Sequence, residues 1–258
     1  MEQVSATMPA PGGVNDDSYL VGPRFAAVLD GCTDPGRDSG CEHDVPWLVS
    51  RLSAHLASGL SAARPSGLPD VVAQAIKATM ADHPGCDLTN PDSPSSTVTV
   101  LREIDDEVEY LVLGDSPLVF EHADGGVRHL VDDQVDHLPG YSFDEVAHWR
   151  NRDGGFWVAA AVPEAAYRGV HGVLQRDDVR RALLVTDGVS RLVDRYGWSW
   201  NRLMETAVAE GPRRLIAAVH AEDALAGDPD GPWPQPVRGK RFDDATAVLC
   251  QIADSSGR

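Results

Sequence analysis

Four apolar runs in this sequence stop at, or start from, an aspartate. FAAVLD ends at Asp30, YLVLGD at Asp115 and ALLVTD at Asp187, and ATAVLCQI begins just after Asp243 and Asp244. Glycine follows two of them, as Asp30-Gly31 and Asp187-Gly188, and lets backbone or a ligand approach closely. If these runs are strands, their ends can lie side by side and the carboxylates converge. Converging carboxylates cannot all stay ionised unless a cation sits between them. Hard oxygen ligands favour Mg²⁺ or Mn²⁺ over softer metals. Two such ions can lower the pKa of a shared water and clamp a phosphoryl oxygen. A single strand-end aspartate is ordinary turn chemistry; its repetition is what points to a metal centre.

Other chemistries find less support. A haloacid-dehalogenase nucleophile needs a second Asp two residues on, whereas Gly31, Cys32 and Thr33 follow Asp30. A receiver domain needs a regular βα repeat that is not evident. P-loop, GxSxG and HExxH patterns are absent. Cys32, Cys41 and His43 lie close in sequence, but their spacing is not that of a known zinc finger and a fourth ligand is not evident. The expectation is that they are ordinary loop residues.

The elements that must carry the aspartates can be read from periodicity. Residues 19–29 read as two short strands broken at Gly22-Pro23. Asp44 and Pro46 open an amphipathic helix over 45–62, and Val72, Ile76 and Met80 mark a second over 69–82. From Ser96 the period changes to two, and TVTVLRE, VEYLVLGD, PLVFEH and VRHL read as a meander. Ser142 and Glu145 fit a capping box for a short helix through Trp149. A buried strand at 182–188, helices at 198–209 and 212–226, a Pro- and Gly-rich loop and a last strand at 245–252 complete the chain. Strands in blocks and helices in pairs suggest α+β.

Composition sets limits. The chain has 258 residues, 22 Lys plus Arg against 40 Asp plus Glu, and a net charge of −18. That charge argues against nucleic-acid and anionic-membrane partners. No run approaches the roughly 20 apolar residues of a membrane span, and the first residues carry no basic start or apolar run of a secretory signal. Four cysteines without a CxxC pair are no disulfide scaffold; the expected location is a reducing cytoplasm.

In order along the chain, VNDDSYLV, AAVLDG, SSTVTV, LVLGDSPLVF, LLVTDGVSRLV and FDDATAVL resemble the blocks of the metal-dependent protein serine/threonine phosphatases of the protein phosphatase 2C-like (PPM) family. The blocks run from Asn15 to about Leu249. The resemblance implies a single domain over 1–258. It also implies a four-layer α-β-β-α sandwich, two antiparallel sheets flanked by helix pairs, with Mg²⁺ or Mn²⁺ in a channel at one end. By the resemblance, Asp30 bridges two ions and Gly31 offers its carbonyl to one. Asp187 and Asp243 are metal ligands, Asp16 acts through metal-bound water, and Asp17 is the neighbouring acid of the same metal-binding block. Asp115 holds a weaker third ion with Asp187. The implied reaction is attack of a metal-bridging hydroxide on phosphoserine or phosphothreonine in a protein, opposing a Ser/Thr kinase, by a monomer.

Four positions depart from the family pattern. Gly12 stands where an Arg that grips phosphate is common, Cys32 where His follows the Asp-Gly, and Asp16 where Glu is usual. Asp244 also replaces the Asn of an Asp-Asn pair. The metal ligands persist while two substrate-handling groups do not, so the alternative is a catalytically weak or inactive pseudophosphatase that binds a partner. Arg150 and Arg152 are candidates to replace the absent Arg, with solvated loop charge as the plainer expectation.

Overall fold

A computed structural model describes residues 1–62, 66–226 and 240–252. Its strands form two five-stranded sheets. In the first, β2 (Ser18–Gly22), β3 (Phe25–Leu29), β4 (Val98–Ile104), β5 (Glu107–Leu113) and β8 (Val170–Gln175) lie in that order. In the second, the order is β1 (Glu2–Met8), β10 (Ala245–Gln251), β9 (Val179–Val185), β6 (Leu118–His122) and β7 (Val127–Leu130). Every neighbouring pair is antiparallel.

Alternation along the strands separates three cores. Ala26 and Val28 of β3 join Leu101, Val112, Leu118, Phe120, Leu184 and Val248 between the sheets. Ala27 and Leu29 face the other way, onto α1 (Val45–Leu60) and α2 (Leu68–Ala81). On the far side Leu183, Val185, Ala245 and Ala247 pack on α4 (Asp187–Asp194), α5 (Trp200–Glu210) and α6 (Pro212–Leu225). Central strands buried on both faces read as near-continuous apolar runs. The expected four-layer α-β-β-α sandwich is the fold. α3 (Phe143–Trp149) begins at the expected capping box of Ser142 and Glu145.

Three features differ from the sequence reading. The expected meander is cut after β5, where Gly114 at φ +87° turns the chain; β6 and β7 belong to the other sheet. β1 and β8 were not among the expected strands; β8 is largely exposed and lacks a strong apolar alternation. The strand expected over 182–188 ends at Val185, and Asp187 opens α4. Most of the Pro- and Gly-rich loop lies outside the described residues. Among the described residues no helix is long and apolar enough to cross a membrane.

Candidate metal centre

The aspartates gather at one end of the sandwich because each sits next to a strand end, where the strand meets a loop or, for Asp187, a helix. Asp30 follows β3; its backbone N–H donates to Thr97 Oγ1 (3.3 Å), and its carbonyl accepts from Thr97 N (2.9 Å) and Ser96 Oγ (2.9 Å). Asp115 follows β5 and Gly114. Asp187 is the first residue of α4, after the N-cap Thr186. Asp243 precedes β10, and Asp17 precedes β2.

Two glycines set the spacing. A Cβ on Gly31 would lie 2.6 Å from the carbonyl oxygen of Asp16 and 2.5 Å from Val45 Cγ1. A Cβ on Gly188 would lie 1.9 Å from the carbonyl oxygen of Asp244. Only glycine allows the start of α4 to rest on the start of β10, and this contact draws the Asp187 and Asp243 segments together.

Asp30, Gly31, Asp115, Asp187 and Asp243 line one cavity of about 310 Å³. Asp17 lies behind them, its carboxylate accepting from Thr186 Oγ1 at 2.9 Å. Burial first, then the charges of Asp187, Asp17, Asp115 and Asp243, hold the Asp30 carboxyl well above the usual range. Burial, aided by Asp187 and Asp244, pushes Asp17 up to about 8 against hydrogen bonds from Thr246 and Thr186. Burial and Asp187 push Asp115 up to about 7. Asp243 is raised too, by burial and Asp187, with Arg191 and Lys240 opposing. Asp16 stands at the margin: burial, then Asp244, raises it, and Lys240 opposes. Its N–H donates to Asp244 Oδ2 while Ala10 N–H donates to Asp244 Oδ1, both at 2.7 Å, so both oxygens of the acid accept, where the amide nitrogen of an Asn could not.

Mutual repulsion of this kind is relieved by cations, and an all-oxygen donor set suits hard dications. Among the described residues no three of these carboxylates bring ligand atoms within 4.8 Å of one another. They ring a space rather than touch, leaving room for ions and water. The residues present fit Mg²⁺ or Mn²⁺.

Two arginines stand out: Arg150, which the sequence offers as a candidate but more plainly as loop charge, and Arg191, which it does not single out. Arg150 is not solvated loop charge: it lines the same cavity and donates to Ser95 Oγ (2.7 Å) and to the Pro91 carbonyl. Burial lowers its pKa. Arg191, on the buried side of α4, pairs with Asp243 and lies 3.7 Å from Asp223. Neither position has a sequence signal beyond its charge. Gly12 sits in an exposed turn at φ +79° with nothing within 4 Å of a Cβ built on it. Cys32 lines the cavity; burial raises its thiol, opposed by a hydrogen bond from Ser95 and the charge of Arg150.

The sequence matches the family described as protein phosphatase 2C over residues 11–222. The PPM Ser-Thr phosphatase MsPP from Mycobacterium smegmatis, solved in complex with cacodylate, is 20% identical, with a TM-score of 0.59 over 98% of this chain and 99% of its own. The catalytic domain of the serine threonine protein phosphatase PstP, in complex with 2 manganese ions, is 20% identical, with a TM-score of 0.60 over 98% of each chain. A bacterial serine phosphatase at 13% identity aligns over 99% of each chain with a TM-score of 0.65. At such identities the likeness is one of fold. No curated protein matches the chain.

Proposed function

The chain belongs to the protein phosphatase 2C family of metal-dependent protein serine/threonine phosphatases, and from that premise we propose that its channel hydrolyses phosphoserine and phosphothreonine in a protein substrate. The observation that supports this reading is the ring of acids around Asp30 at the cavity wall. Two Mg²⁺ or Mn²⁺ ions would be the cofactors: Asp30, the Gly31 carbonyl, Asp187 and Asp243 would hold them, with Asp16 and Asp17 behind, and Asp115 with Asp187 would hold a weaker third ion. Bound there, such ions would supply Lewis acidity that lowers the pKa of water and positive charge that offsets the charge developing on the phosphoryl group.

The chain's own groups bind and position. Thr186 fixes the Asp17 carboxylate, and Arg191 and Lys240 hold that of Asp243. Arg150 offers a guanidinium to the substrate phosphate from the cavity wall. A guanidinium fork matches phosphate geometry, so Arg150 takes the place left by Gly12. Cys32 holds a proton at Sγ, but a thiol is a poor donor to a leaving alkoxide. A missing general acid slows turnover by on the order of 10²–10⁴. The protein acts as one domain and as a monomer in the cytoplasm, against a Ser/Thr kinase.

A second reading, a weakly active or inactive binding module, is favoured by Gly12 and Cys32. One assay separates the two. With Mn²⁺, wild type is expected to hydrolyse p-nitrophenyl phosphate and a phosphothreonine peptide, and Asp30→Ala and Asp187→Asn are expected to abolish both activities. If wild type is as inert as the variants while Mn²⁺ still binds, the hydrolase reading fails and the binding module stands.

A further inference from the structure

A second cluster of ligand atoms lies outside the carboxylate ring. Cys41 and His43 come from the loop between β3 and α1, and His83 and Cys86 from the turn that follows α2. The four offer Sγ, Nδ1, Nδ1 and Sγ, all within 4.8 Å of one another. Cys41 Sγ is 3.6 Å from His43 Nδ1, 3.3 Å from His83 Nδ1 and 3.4 Å from Cys86 Sγ, and Cys86 Sγ is 3.5 Å from His43 Nδ1.

These are the edges of a small tetrahedron. Zinc bonds of about 2.3 Å to sulfur and about 2.0–2.1 Å to imidazole nitrogen give ligand–ligand edges of roughly 3.3–3.8 Å. A disulfide would need the sulfurs at about 2.05 Å, and both cysteines are free. The His43 N–H points at Cys41 Sγ (3.4 Å), although burial, first, and the neighbouring Cys86 hold the metal-free thiol up at about 11. Trp47 fixes the rings: it stacks on His43 at 3.7 Å and meets His83 edge-on at 4.6 Å. His83 itself is buried. Asp82, the nearest acid in sequence to His83, is already engaged by Arg51 and His55.

We propose that Cys41, His43, His83 and Cys86 form a closed tetrahedral site for a structural Zn²⁺. Two thiolates and two imidazoles select zinc over Mg²⁺ and Mn²⁺, and four protein ligands leave no open position for catalysis. Read from sequence, Cys32, Cys41 and His43 are ordinary loop residues without an evident fourth ligand; the structure clusters Cys41 and His43 with His83 and Cys86. Cys32 lies apart at the channel, and the missing partners of Cys41 and His43 come from the far side of two helices.

The site has a mechanical consequence. The 31–44 loop and the 87–95 loop form walls of the phosphatase cavity, through Cys32, Thr33, Pro91 and Ser95 among others. The loops are joined directly by Cys32 N to the Ser95 carbonyl (2.9 Å), Asp87 N to the Gly40 carbonyl (2.8 Å), Asn90 Nδ2 to the Asp38 carbonyl (3.1 Å) and the half-exposed Arg37–Asp92 ion pair (2.7 Å). Zinc at the four ligands would staple the two walls together.

The test uses the full chain purified under reducing conditions. Elemental analysis is expected to give one zinc per chain, and Cys86→Ser to lose it. Co²⁺ added to the zinc-stripped wild type is expected to give the intense visible absorption and thiolate charge-transfer band of tetrahedral sulfur coordination. The carboxylate ring cannot give either signal, and the measurement needs no variant to fold. Absence of those bands together with absence of zinc overturns the proposal. So does zinc that persists in Cys86→Ser, or a Cys41–Cys86 disulfide found by mass in reduced protein.

Discussion

Replacing Asp17 with Asn is expected to stabilise the metal-stripped protein, and to do so more strongly as pH rises. The Asp17 carboxyl is pushed from 3.8 up to about 8, chiefly by burial. Between those values the folded chain keeps a proton that the unfolded chain has released. Folded protein therefore binds more protons than unfolded, and stability falls as pH rises across this window, levelling off above about 8. Asp115, pushed up to about 7, acts with the same sign. Each tenfold in acidity is about 1.4 kcal/mol, so Asp17 alone costs the metal-free fold at most about 6 kcal/mol when ionised, and about 4 kcal/mol at neutral pH. Weakening the bond from Thr186 takes back about 1 kcal/mol, which leaves a net gain of about 2–4 kcal/mol for Asn near neutrality. Urea denaturation of both proteins in chelator, at about pH 5 and about pH 8, measures this. The chelator strips zinc from both chains alike, so the comparison isolates Asp17. Added Mn²⁺ should reverse the order, because the ions favour the ionised ring. If metal-free wild type is as stable at about pH 8 as at about pH 5, or if Asn leaves the pH slope unchanged, the account of the ring as a cation-demanding cluster is wrong.

Three further perturbations separate the parts of the site. Gly188→Ala drives a methyl into the Asp244 carbonyl and should cost about 1–3 kcal/mol in denaturation, with weaker Mn²⁺ binding in calorimetry as the Asp187 and Asp243 segments part. Arg150→Ala removes the one guanidinium that lines the cavity among the described residues; a charged hydrogen bond of about 1.5–3 kcal/mol predicts a loss of roughly 10–100-fold in kcat/KM, carried mainly by KM. A lower melting temperature with unchanged KM would make Arg150 a structural brace between Ser95 and Pro91. Arg191→Ala leaves Asp223, which is 1% exposed, with Tyr196 and the charges of Arg195 and His220 but without its ion-pair partner at 3.7 Å, and should cost about 3–5 kcal/mol, read by urea unfolding; a cost below about 1 kcal/mol would refute the pairing.

How far the sequence reaches depends on the kind of signal. FAAVL, YLVL and ALLV announce buried strands, and the aspartate after each marks the end of each run. Those runs do not tell which sheet a strand joins, because central strands of both sheets are buried on both faces. The switch lies in one residue: Gly114 at φ +87°, tight against Thr97, sends the chain from the first sheet to the second. β8 escaped because exposed residues alternate with half-buried ones and no apolar face emerges. Arg150 and Arg191 differ from solvated arginines only by what folds over them.

The same reasoning separates the two metal chemistries of this chain. The carboxylates of the ring stand at strand ends, where local pattern betrays them. Cys41-x-His43 and His83-x-x-Cys86 each hold half of a tetrahedron and mean little alone; they meet only because α1 and α2 lie antiparallel and return the chain to the same end. Hard acids on rigid strand ends suit ions that must exchange ligands and water during turnover. Soft ligands on two loops suit an ion that must stay. The walls of the cavity gain fixed positions from the second so that the first can keep its inner face open to a phosphate.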